Sequence, residues 1–335
     1  MRRDAVQKYF LGLDVGGTKT HALITDDQGN VLGFAEDGPG NHQIVGYQGL
    51  REILRSAVGQ ALHSAGLKVE QITGAGFGIG GFDWPSQLED HLNTIAPLGL
   101  GCPVDVVNDS IIALMAGTAQ GWGVVLIAGT GNNCRGRDRY GHEARITGEG
   151  SRFGEFGGAA DMVEKAIQAI SHEWTQRGLK TSLTNLFIEM TGTKDINSLV
   201  EGIDLGRYDP NASWAPLIFQ AANNGDQVAR EIIAGSGCEL GESACAVIRQ
   251  LHIEKDEFDV IMAGSIFASG ELYIEPLRAT IYRQAPRARL IKLEAPPVTG
   301  AVVLGMQKAG MNTKLIHPNL AASTNKFIEY RLSRN

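Results

Sequence analysis

The stretch YFLGLDVGGTKTHALIT, residues 9–25, decides the fold. It begins with an apolar run at residues 9–13, passes through a tight turn predicted for residues 14–19, DVGGTK, and returns to a second apolar run at residues 20–25. Short apolar runs separated by glycine are typical of buried strands joined by a tight turn. A polar segment, DDQGN, and a further apolar run at residues 31–34 extend the pattern. Residues 9–34 are therefore predicted to form a three-stranded antiparallel meander.

The same order of elements recurs in the middle of the chain. Residues 123–128 form an apolar run, Gly129, Thr130 and Gly131 follow as a turn, and residues 134–137 continue as a strand. Sequence identity between the two segments is weak, but small residues recur at the same topological point. The repeat predicts two related domains, each presenting a glycine turn to one ligand.

Elsewhere, strand-like runs alternate with helical periodicity, which indicates an α/β fold. We expect an N-terminal domain over residues 1–117, a C-terminal domain over residues 118–310, and a tail of unassigned placement over residues 311–335. The glycines that bound residues 117–121 favour a hinge there. Further strands are predicted at residues 69–77, 103–108 and 258–263, and helices at residues 49–66, 109–116, 159–177, 216–223, 227–251 and 299–308.

Length and composition restrict the function. The 335 residues carry a formal net charge of −7, with 20% charged and 43% hydrophobic residues. A chain of this length is expected to form two domains, and its acidity argues against binding nucleic acid through phosphate attraction. The N-terminus lacks a long apolar stretch, so we expect neither a signal peptide nor a membrane span.

The cysteines predict neither a disulfide framework nor a structural metal site. Cys102, Cys134, Cys238 and Cys245 have neither Cys-x-x-Cys nor zinc-ligand spacing. We therefore expect free thiols in a reducing, cytoplasmic setting.

The two glycine turns are candidate phosphate sites. Glycine lets backbone amides approach an anion, and Thr18 and Thr130 add hydroxyl donors. Asp14 supplies an oxygen ligand of the kind that Mg²⁺ prefers, directly or through water. Either turn alone is equally compatible with a simple hairpin, but two in matching contexts favour phosphate binding. The candidate phosphate contacts are Gly16, Gly17, Thr18, Lys19, Gly129, Thr130 and Gly131.

Asp109 is the candidate general base. It lies where a predicted strand meets a predicted helix, a position from which side chains point into clefts in α/β folds. A carboxylate there could accept the proton of an attacking hydroxyl. The alternative is a helix N-cap, since Asp and Asn are both favoured at that position. The glycine turns favour the base, because phosphoryl transfer needs phosphate donors, a metal and a residue that orients the nucleophile.

Three further segments are candidate ligand contacts. Asn41 and His42 follow a Gly-Pro-Gly loop and could bind sugar hydroxyls, although a solvated loop is also compatible with the pair. The stretch GEGSRFGEFGG, residues 148–158, carries two acids that could contact a sugar or favour a helix N-terminus. Gly264 and Ser265 close a predicted strand, where they could admit an adenine ring or form a tight turn. The candidate contacts within residues 148–158 are Gly148, Glu149, Gly150 and Glu155.

Together these motifs resemble the BadF/BadG/BcrA/BcrD group of the actin-like ATPase superfamily, which includes N-acetylglucosamine kinases. The resemblance runs from about Tyr9 to about Gly310, nearly the whole chain. The matching segments are LDVGGTKT (13–20), NH (41–42), VND (107–109), IAGTGNNC (127–134), VIMAGS (260–265) and GA (300–301).

The resemblance implies two ribonuclease H-like domains with an ATP and sugar cleft between them. It implies ATP and Mg²⁺ as cofactors and an amino sugar as the substrate, with N-acetylglucosamine phosphorylated at its 6-position. A homodimer without nucleic-acid or membrane partners is also implied. The implied roles are base for Asp109, ATP contact for Thr18, Thr130 and Gly264, and sugar contact for Asn41 and residues 148–150.

The sugar motif departs from the family pattern. N-acetylglucosamine kinases have a Gly-Trp-Gly stretch followed by Gly-Asp-Glu-Gly-Ser, whereas this chain has Glu149 at the Trp and Glu155 at the Asp. A longer acid reaches a different hydroxyl, and an added acid could pair with an ammonium. Glucosamine is therefore an alternative substrate.

Three alternatives remain for the activity. ATPases that activate 2-hydroxyacyl-CoA dehydratases share an iron–sulfur cluster held by cysteines, and the cysteines here are scattered. ROK sugar kinases and repressors carry a cysteine-rich zinc motif or an added helix-turn-helix, which this sequence lacks. A non-catalytic ATP-binding sensor would keep the fold without turnover, but Asp14, Asp109 and both glycine turns are intact.

Overall fold

The computed structural model describes residues 7–332. Within them the chain forms two compact units. The first comprises residues 7–125, 139–141 and 291–332, and the second comprises residues 126–138 and 142–290. Two five-stranded sheets with flanking helices confirm the predicted α/β class.

The described elements alternate between strands and helices along most of the chain. The strands are β1 (Tyr9–Val15), β2 (Thr20–Asp26), β3 (Val31–Asp37), β4 (Ile72–Ile79), β5 (Val104–Asn108), β6 (Gly123–Ala128), β7 (Asn132–Arg137), β8 (Glu143–Arg145), β9 (Asp259–Ala263) and β10 (Arg289–Lys292). The helices are α1 (His42–Ala65), α2 (Leu88–Ile95), α3 (Asp109–Gly117), α4 (Ala159–Trp174), α5 (Ser182–Thr191), α6 (Ile196–Asp204), α7 (Ala215–Asn223), α8 (Gln227–Leu251), α9 (Glu271–Gln284), α10 (Val298–Lys308) and α11 (His317–Leu332).

The first sheet has the strand order β3-β2-β1-β4-β5. β1 pairs antiparallel with β2 and parallel with β4, and β2 pairs antiparallel with β3. The three-stranded meander predicted for residues 9–34 is therefore confirmed. The pairing of β1 with β2 continues to Val15, opposite Thr20. Asp14 consequently lies in the strand, and the prediction that it belongs to the turn is wrong.

β1 is an apolar run because both of its faces are covered by helices. Leu11 and Leu13 belong to one apolar cluster with Leu50 of α1. Phe10, on the opposite face, belongs to a second cluster with Val302 of α10. The first unit is thus a sheet between two helical layers, with Asp14 at the carboxyl end of its central strand.

The C-terminal segment, whose placement the sequence left open, belongs to the first unit. α10 packs on β1 and β4, and α11 packs against β3. Leu320 is buried, and Ser323 Oγ accepts a hydrogen bond from the Val31 amide at 3.0 Å. The unit boundaries therefore differ from the predicted domain boundaries, because a segment distant in sequence supplies a helical layer to the first sheet.

The second sheet has the strand order β10-β9-β6-β7-β8. Read from its other edge, this order repeats that of the first sheet. In each sheet a three-stranded meander has its first strand in the centre, and two later strands lie on the other side of that strand. β7 pairs antiparallel with β8, as β2 does with β3. The repeat predicted from the two glycine turns is therefore confirmed as a repeated topology.

Predicted and observed bounds coincide for one strand and one helix. β6 and α8 have the predicted bounds, whereas α2, α5, α6 and α9 have no counterpart in the prediction. α9 carries Pro276 in its interior, and α2 is eight residues long. Both features weaken a helical pattern. No helix within residues 7–332 is long and apolar enough to cross a bilayer.

Candidate active site

The first glycine turn joins β1 to β2 and lies against the start of α1. The Gly16 amide donates to the Lys19 carbonyl at 2.9 Å, which closes the turn. The Gly16 carbonyl accepts hydrogen bonds from the amides of Gly40 and Asn41 at 3.0 and 3.2 Å. Thr18 and Lys19 are exposed, so the turn is accessible to an anionic ligand.

Asp14 and Asp109 are two carboxylates close enough to influence each other. Burial, and then the negative charge of Asp109, raise the pKa of Asp14 to about 7 against the opposing charge of Lys19. Two carboxylates that repel each other form a donor set that a divalent cation stabilises. No group of three potential metal-ligating side chains occurs within residues 7–332. Mg²⁺ can be held by one or two carboxylates when substrate phosphates supply further ligands, so the pair fits Mg²⁺.

Asn108, and not Asp109, caps α3. Asn108 Oδ1 accepts a hydrogen bond from the Ser110 amide at 3.0 Å. The N-cap alternative for Asp109 is therefore wrong, and Asp109 is the first helical residue. The Asn108 side-chain amide also donates to the Phe82 carbonyl at 3.1 Å and to Asp83 Oδ1 at 3.3 Å. The cap thus ties the start of α3 to the segment after β4.

Residues 80–84, GGFDW, form a site loop that has no counterpart among the predicted contacts. A Cβ added at Gly80 would lie 3.1 Å from Asp109 Oδ2. Gly81 has a φ of +84°, and a Cβ added there would lie 2.5 Å from Asn41 Oδ1. The site loop therefore brings the candidate base and a candidate sugar contact to one place in the first unit. The paired glycines, which Gly78 and Ile79 separate from the strand predicted at residues 69–77, are the signal that could identify it.

Asn41 and His42 have different environments. Asn41 Oδ1 caps α1 by accepting a hydrogen bond from the Gln43 amide at 2.8 Å. His42 stacks on Tyr47 with ring centroids 4.7 Å apart and meets His91 edge-on at 4.8 Å. Burial, followed by the neighbouring His91, lowers the pKa of His42. Asn41 therefore borders the site loop, whereas His42 packs into an aromatic cluster.

The second glycine turn joins β6 to β7 and lies against the start of α4. The Gly129 amide donates to the Gly131 carbonyl at 2.9 Å. The carbonyls of Gly129 and Thr130 accept hydrogen bonds from the amides of Ala159 and Ala160 at 2.9 and 3.0 Å. Each glycine turn is therefore anchored through its carbonyl groups to the start of a following helix, and Thr130 and Gly131 are exposed.

Glu155 holds the loop that precedes it. The side chain is buried, and its oxygens accept hydrogen bonds from the amides of Thr147, Gly148 and Glu149 at 2.6, 2.8 and 3.1 Å. Glu149 is exposed, and the 3-10 turn Gly150–Phe153 follows it. The two acids predicted to contact a sugar therefore differ: Glu155 shapes the loop from inside, and Glu149 presents its carboxylate at the surface.

Two asparagines directly after the second glycine turn are absent from the predicted contacts. Asn132 Nδ2 and Asn133 Oδ1 are buried and have no hydrogen-bond partner within the described part of the chain. A Cβ added at Gly148 would lie 3.4 Å from Asn133 Oδ1, so Asn133 adjoins the loop that Glu155 holds. Buried polar atoms are costly unless something satisfies them. Asn133 is therefore a further candidate contact, and its place beside a Gly-Thr-Gly turn is the available signal.

Gly264 and Ser265 follow β9 in the second unit, and Ser265 borders a cavity of about 660 Å³. Gly264 has a φ of +118°, and an added Cβ would overlap the backbone of Ala128 at the end of β6. Only glycine fits there. Mostly apolar walls with a few amides and hydroxyls suit a flat heteroaromatic ring. The cavity lining includes Ala159, Pro216, Phe219, Asn223, Ser265 and Ile266.

The sequence matches the model of the BadF/BadG/BcrA/BcrD ATPase family over residues 11–305. The chain belongs to this family. Its family resemblance, predicted from the motifs, is therefore confirmed. The N-acetylmuramic acid/N-acetylglucosamine kinase of Clostridium acetobutylicum is 28% identical over 302 residues, which cover 89% of this chain and 98% of the relative. The N-acetyl-D-glucosamine kinase of Dictyostelium discoideum is 26% identical over 324 residues, which cover 90% of this chain and 98% of the relative.

A solved structure extends the likeness to the fold. The ROK family glucokinase from Streptomyces griseus, in complex with glucose and AMPPNP, superimposes with a TM-score of 0.54 at 19% identity. The match covers 89% of this chain and 99% of the other. Together with the repeated strand order, this confirms the predicted actin-like fold class with two related domains.

Proposed function

We propose that this chain is an ATP-dependent kinase that phosphorylates an amino sugar, with N-acetylglucosamine as the substrate and its 6-hydroxyl as the acceptor. The observation that carries the proposal is the position of Asp109. Asn108 caps α3 in its place, and the site loop lies against both Asp109 and Asn41. A carboxylate base beside a hydroxyl-binding amide is what a sugar nucleophile requires. Family membership and the named kinase relatives support this reaction class.

The proposed reaction is a direct phosphoryl transfer. The sugar hydroxyl gives its proton to a carboxylate oxygen of Asp109 while its oxygen bonds to the γ-phosphorus of ATP. The bond from the γ-phosphorus to the bridging oxygen breaks, and ADP leaves. Asp109 then returns its proton to solvent, which regenerates the base for the next turnover.

The nucleotide contacts follow from the glycine turns and the cavity. Residues 16–18 and 129–131 would offer amides and hydroxyls to the phosphates. Gly264 and Ser265, with the adjoining cavity of about 660 Å³, would hold the adenosine. Mg²⁺, when bound to Asp14 and to phosphate oxygens, would neutralise charge on the transferred group. Lys19 is the weakest of the predicted phosphate contacts, because its ammonium already pairs with the Glu36 carboxylate at 3.6 Å.

Each unit offers candidate sugar contacts of its own. Asn41 in the first unit, and Asn133 with the loop at residues 148–150 in the second, offer amide and backbone groups to hydroxyls. Glu155 would support this loop without touching the sugar. Glucosamine is the second candidate substrate, because Glu149 carries an exposed carboxylate that could pair with an ammonium.

ADP release with Mg·ATP across a sugar panel tests the proposal. The panel contains N-acetylglucosamine, N-acetylmuramic acid, N-acetylmannosamine, glucosamine, glucose and a control without sugar. We expect release that depends on N-acetylglucosamine, with mass spectrometry and NMR placing the phosphate on the 6-oxygen. Release that depends on glucosamine instead would support the second candidate. Release without sugar would support an ATPase, and no release with any sugar would support a sensor.

The environment of the cysteines opposes the activating-ATPase alternative. Cys134 is fully buried in β7, and burial, followed by the neighbouring Cys245, raises its pKa well above the ordinary value. A cluster ligand must be a thiolate. Cys238 is exposed and Cys102 is half-buried.

We also propose the homodimer that the family resemblance implies, which sedimentation velocity tests.

A further inference from the structure

Gln87 links the site loop to the residue that follows Asn41. It ends the 3-10 turn Pro85–Gln87, directly after the loop. Its Oε1 accepts hydrogen bonds from the amides of Asp83 and Trp84, both at 2.9 Å. Because the oxygen accepts both bonds, the orientation of the side-chain amide is fixed. Nε2 then faces Nε2 of His42 at 3.5 Å.

The site loop is also attached beside the candidate base, Asp109. Asn108, the residue before Asp109, donates to Asp83 Oδ1, and Gln43 Nε2 donates to Asp83 Oδ2 at 3.3 Å. The loop therefore has two attachments: Asn108 on the side of the base, and Gln43 and Gln87 on the side of α1 and α2. Displacing the second attachment would change the position of Asn41 relative to Asp109.

Gln87 also determines where the half-buried His42 and the buried His91 carry their protons. The amide N–H donates, so His42 Nε2 accepts and the neutral ring is protonated at Nδ1. His91 is fully buried, and its Nδ1 donates to the Gln87 carbonyl at 2.7 Å, which leaves Nε2 unprotonated. The other tautomer of His42 would place an N–H against the N–H of Gln87. His42 Nδ1 and His91 Nε2 have no hydrogen-bond partner among the described residues.

We infer that Gln87 is a positioning residue for sugar phosphorylation, whose side-chain amide holds the site loop and the His42 ring together and thereby sets Asn41 relative to Asp109. The inference rests on the proposed function, because Asn41 and Asp109 are the sugar contact and the base of that reaction. Gln87 acts through these residues. Its loss should therefore weaken the use of the sugar and leave the nucleotide contacts intact.

The test compares Gln87→Leu with a matched control, Gln71→Leu. Gln71 ends the 3-10 turn Val69–Gln71 in the same unit, and its Oε1 accepts from the Lys68 amide at 2.8 Å, outside the site loop. We expect Gln87→Leu to raise the KM for the sugar by about tenfold to a hundredfold. The KM for ATP should stay within about twofold of wild type, and Gln71→Leu should change neither constant.

Gln87→Glu provides a second variant that is expected to fold. It keeps the acceptor for Asp83 and Trp84 but places an acceptor against His42. The KM for the sugar should then lie between those of wild type and Gln87→Leu. NMR of histidine-labelled protein, assigned with a His42 variant, should report the Nδ1-protonated tautomer of His42 in wild type. In Gln87→Glu the Nε2-protonated tautomer should dominate.

The outcomes separate this inference from the proposed function. An active wild type with an unchanged sugar KM in Gln87→Leu and Gln87→Glu overturns the inference alone. A wild type without sugar-dependent ADP release overturns the proposed function and the inference with it. A parallel loss of kcat, ATP affinity and melting temperature in both Gln87 variants also contradicts the inference, because that result indicates a general defect in folding.

Discussion

The Glu155 carboxylate accepts a hydrogen bond from the Gly148 amide at 2.8 Å, and Gly148 in turn adjoins the buried amide of Asn133. Three backbone amides donate hydrogen bonds to this buried carboxylate, and each bond of this kind contributes about 1.5–3 kcal/mol. The loop that carries the candidate sugar contacts is therefore held by the buried Glu155 side chain. Its conformation should not depend on the exposed neighbour, Glu149.

Replacing Glu155 should accordingly affect stability and sugar binding together. Glu155→Ala leaves three amides without their acceptor, so the free energy of unfolding should fall by about 2 kcal/mol or more. The KM for the sugar should rise, because the loop loses its support. Urea unfolding and steady-state kinetics measure the two effects. Glu149→Ala is the control and should change stability by no more than about 0.5 kcal/mol. Equal stability losses in the two variants would show that Glu155 does not support the loop.

Asp109→Asn should remove catalysis and keep nucleotide binding. The amide has nearly the shape of the carboxylate but cannot accept the proton, so kcat should fall by about a hundredfold to ten-thousandfold. The capping bond of Asn108 does not involve the Asp109 side chain, so the melting temperature should change little. Assays of ADP release measure kcat, and calorimetric titration measures the affinity for ATP. Turnover near the wild-type rate would refute the assignment of the base.

Mg²⁺ affinity should depend on pH through Asp14. Burial, and then the charge of Asp109, raise the pKa of Asp14 to about 7, and Mg²⁺ binds the carboxylate and not the acid. The apparent affinity for Mg²⁺ should therefore fall by about tenfold per pH unit below 7 and level off above it. Mg²⁺ titrations of activity at saturating ATP, from about pH 5.5 to 8.5, measure this dependence.

Two variants check the origin of that dependence. Asp14→Asn should weaken Mg²⁺ binding and flatten the pH dependence, since it removes the titrating group. Asp109→Asn should move the inflection to lower pH, because it removes the charge that opposes ionisation of Asp14. For this second variant, Mg²⁺-dependent binding of nucleotide replaces turnover as the readout. An inflection that stays in place would remove Asp109 as a cause.

The local sequence pattern predicted the parts of the candidate site that lie within single turns. The two glycine turns follow buried apolar runs, so residues 16–18 and 129–131 are recognisable from neighbouring residues alone. The choice between Asn108 and Asp109 as the cap could not be predicted in this way. The two residues are adjacent and are equally good caps.

The remaining features depend on contacts between segments distant in sequence. Gly81 is required by Asn41, forty positions earlier in the chain, and neither segment predicts the other. α10 packs on β1 and β4 of the first sheet, although it follows the whole second unit in sequence. Glu155 has the sequence context of an exposed acid in a glycine-rich loop, and only the folded loop directs three amides at it. Such features come from tertiary packing, which no local window contains.

Acid should destabilise the first unit through the histidine pair beside Gln87. Burial is the largest cause that lowers the pKa of both His42 and His91, and the carboxylates of Asp83 and Asp90 oppose it only in part. Tyr47 and Phe82 supply the remaining ring contacts of the pair. Neither ring can therefore gain a proton in the folded state as easily as it does in the unfolded chain.

The sign of the effect follows from proton linkage. The unfolded imidazole has a pKa of about 6.5, and the folded pKa is lower. Below about pH 6.5 the unfolded state binds more protons, so stability is fully present above this pH and is lost as the pH falls. Asp14 acts in the opposite direction, because its raised pKa lets the folded state bind the extra proton between about pH 4 and 7.

A histidine variant separates the two contributions. His91→Gln keeps a donor for the Gln87 carbonyl but does not titrate, so its stability should decline less between about pH 6.5 and 5.5 than that of wild type. The difference is bounded at about 1.4 kcal/mol per pH unit for one proton. Urea unfolding at each pH measures it, with the exposed His63→Gln variant as the control. If His91→Gln and wild type lose stability in parallel, protonation of His91 does not contribute to the loss of stability in acid.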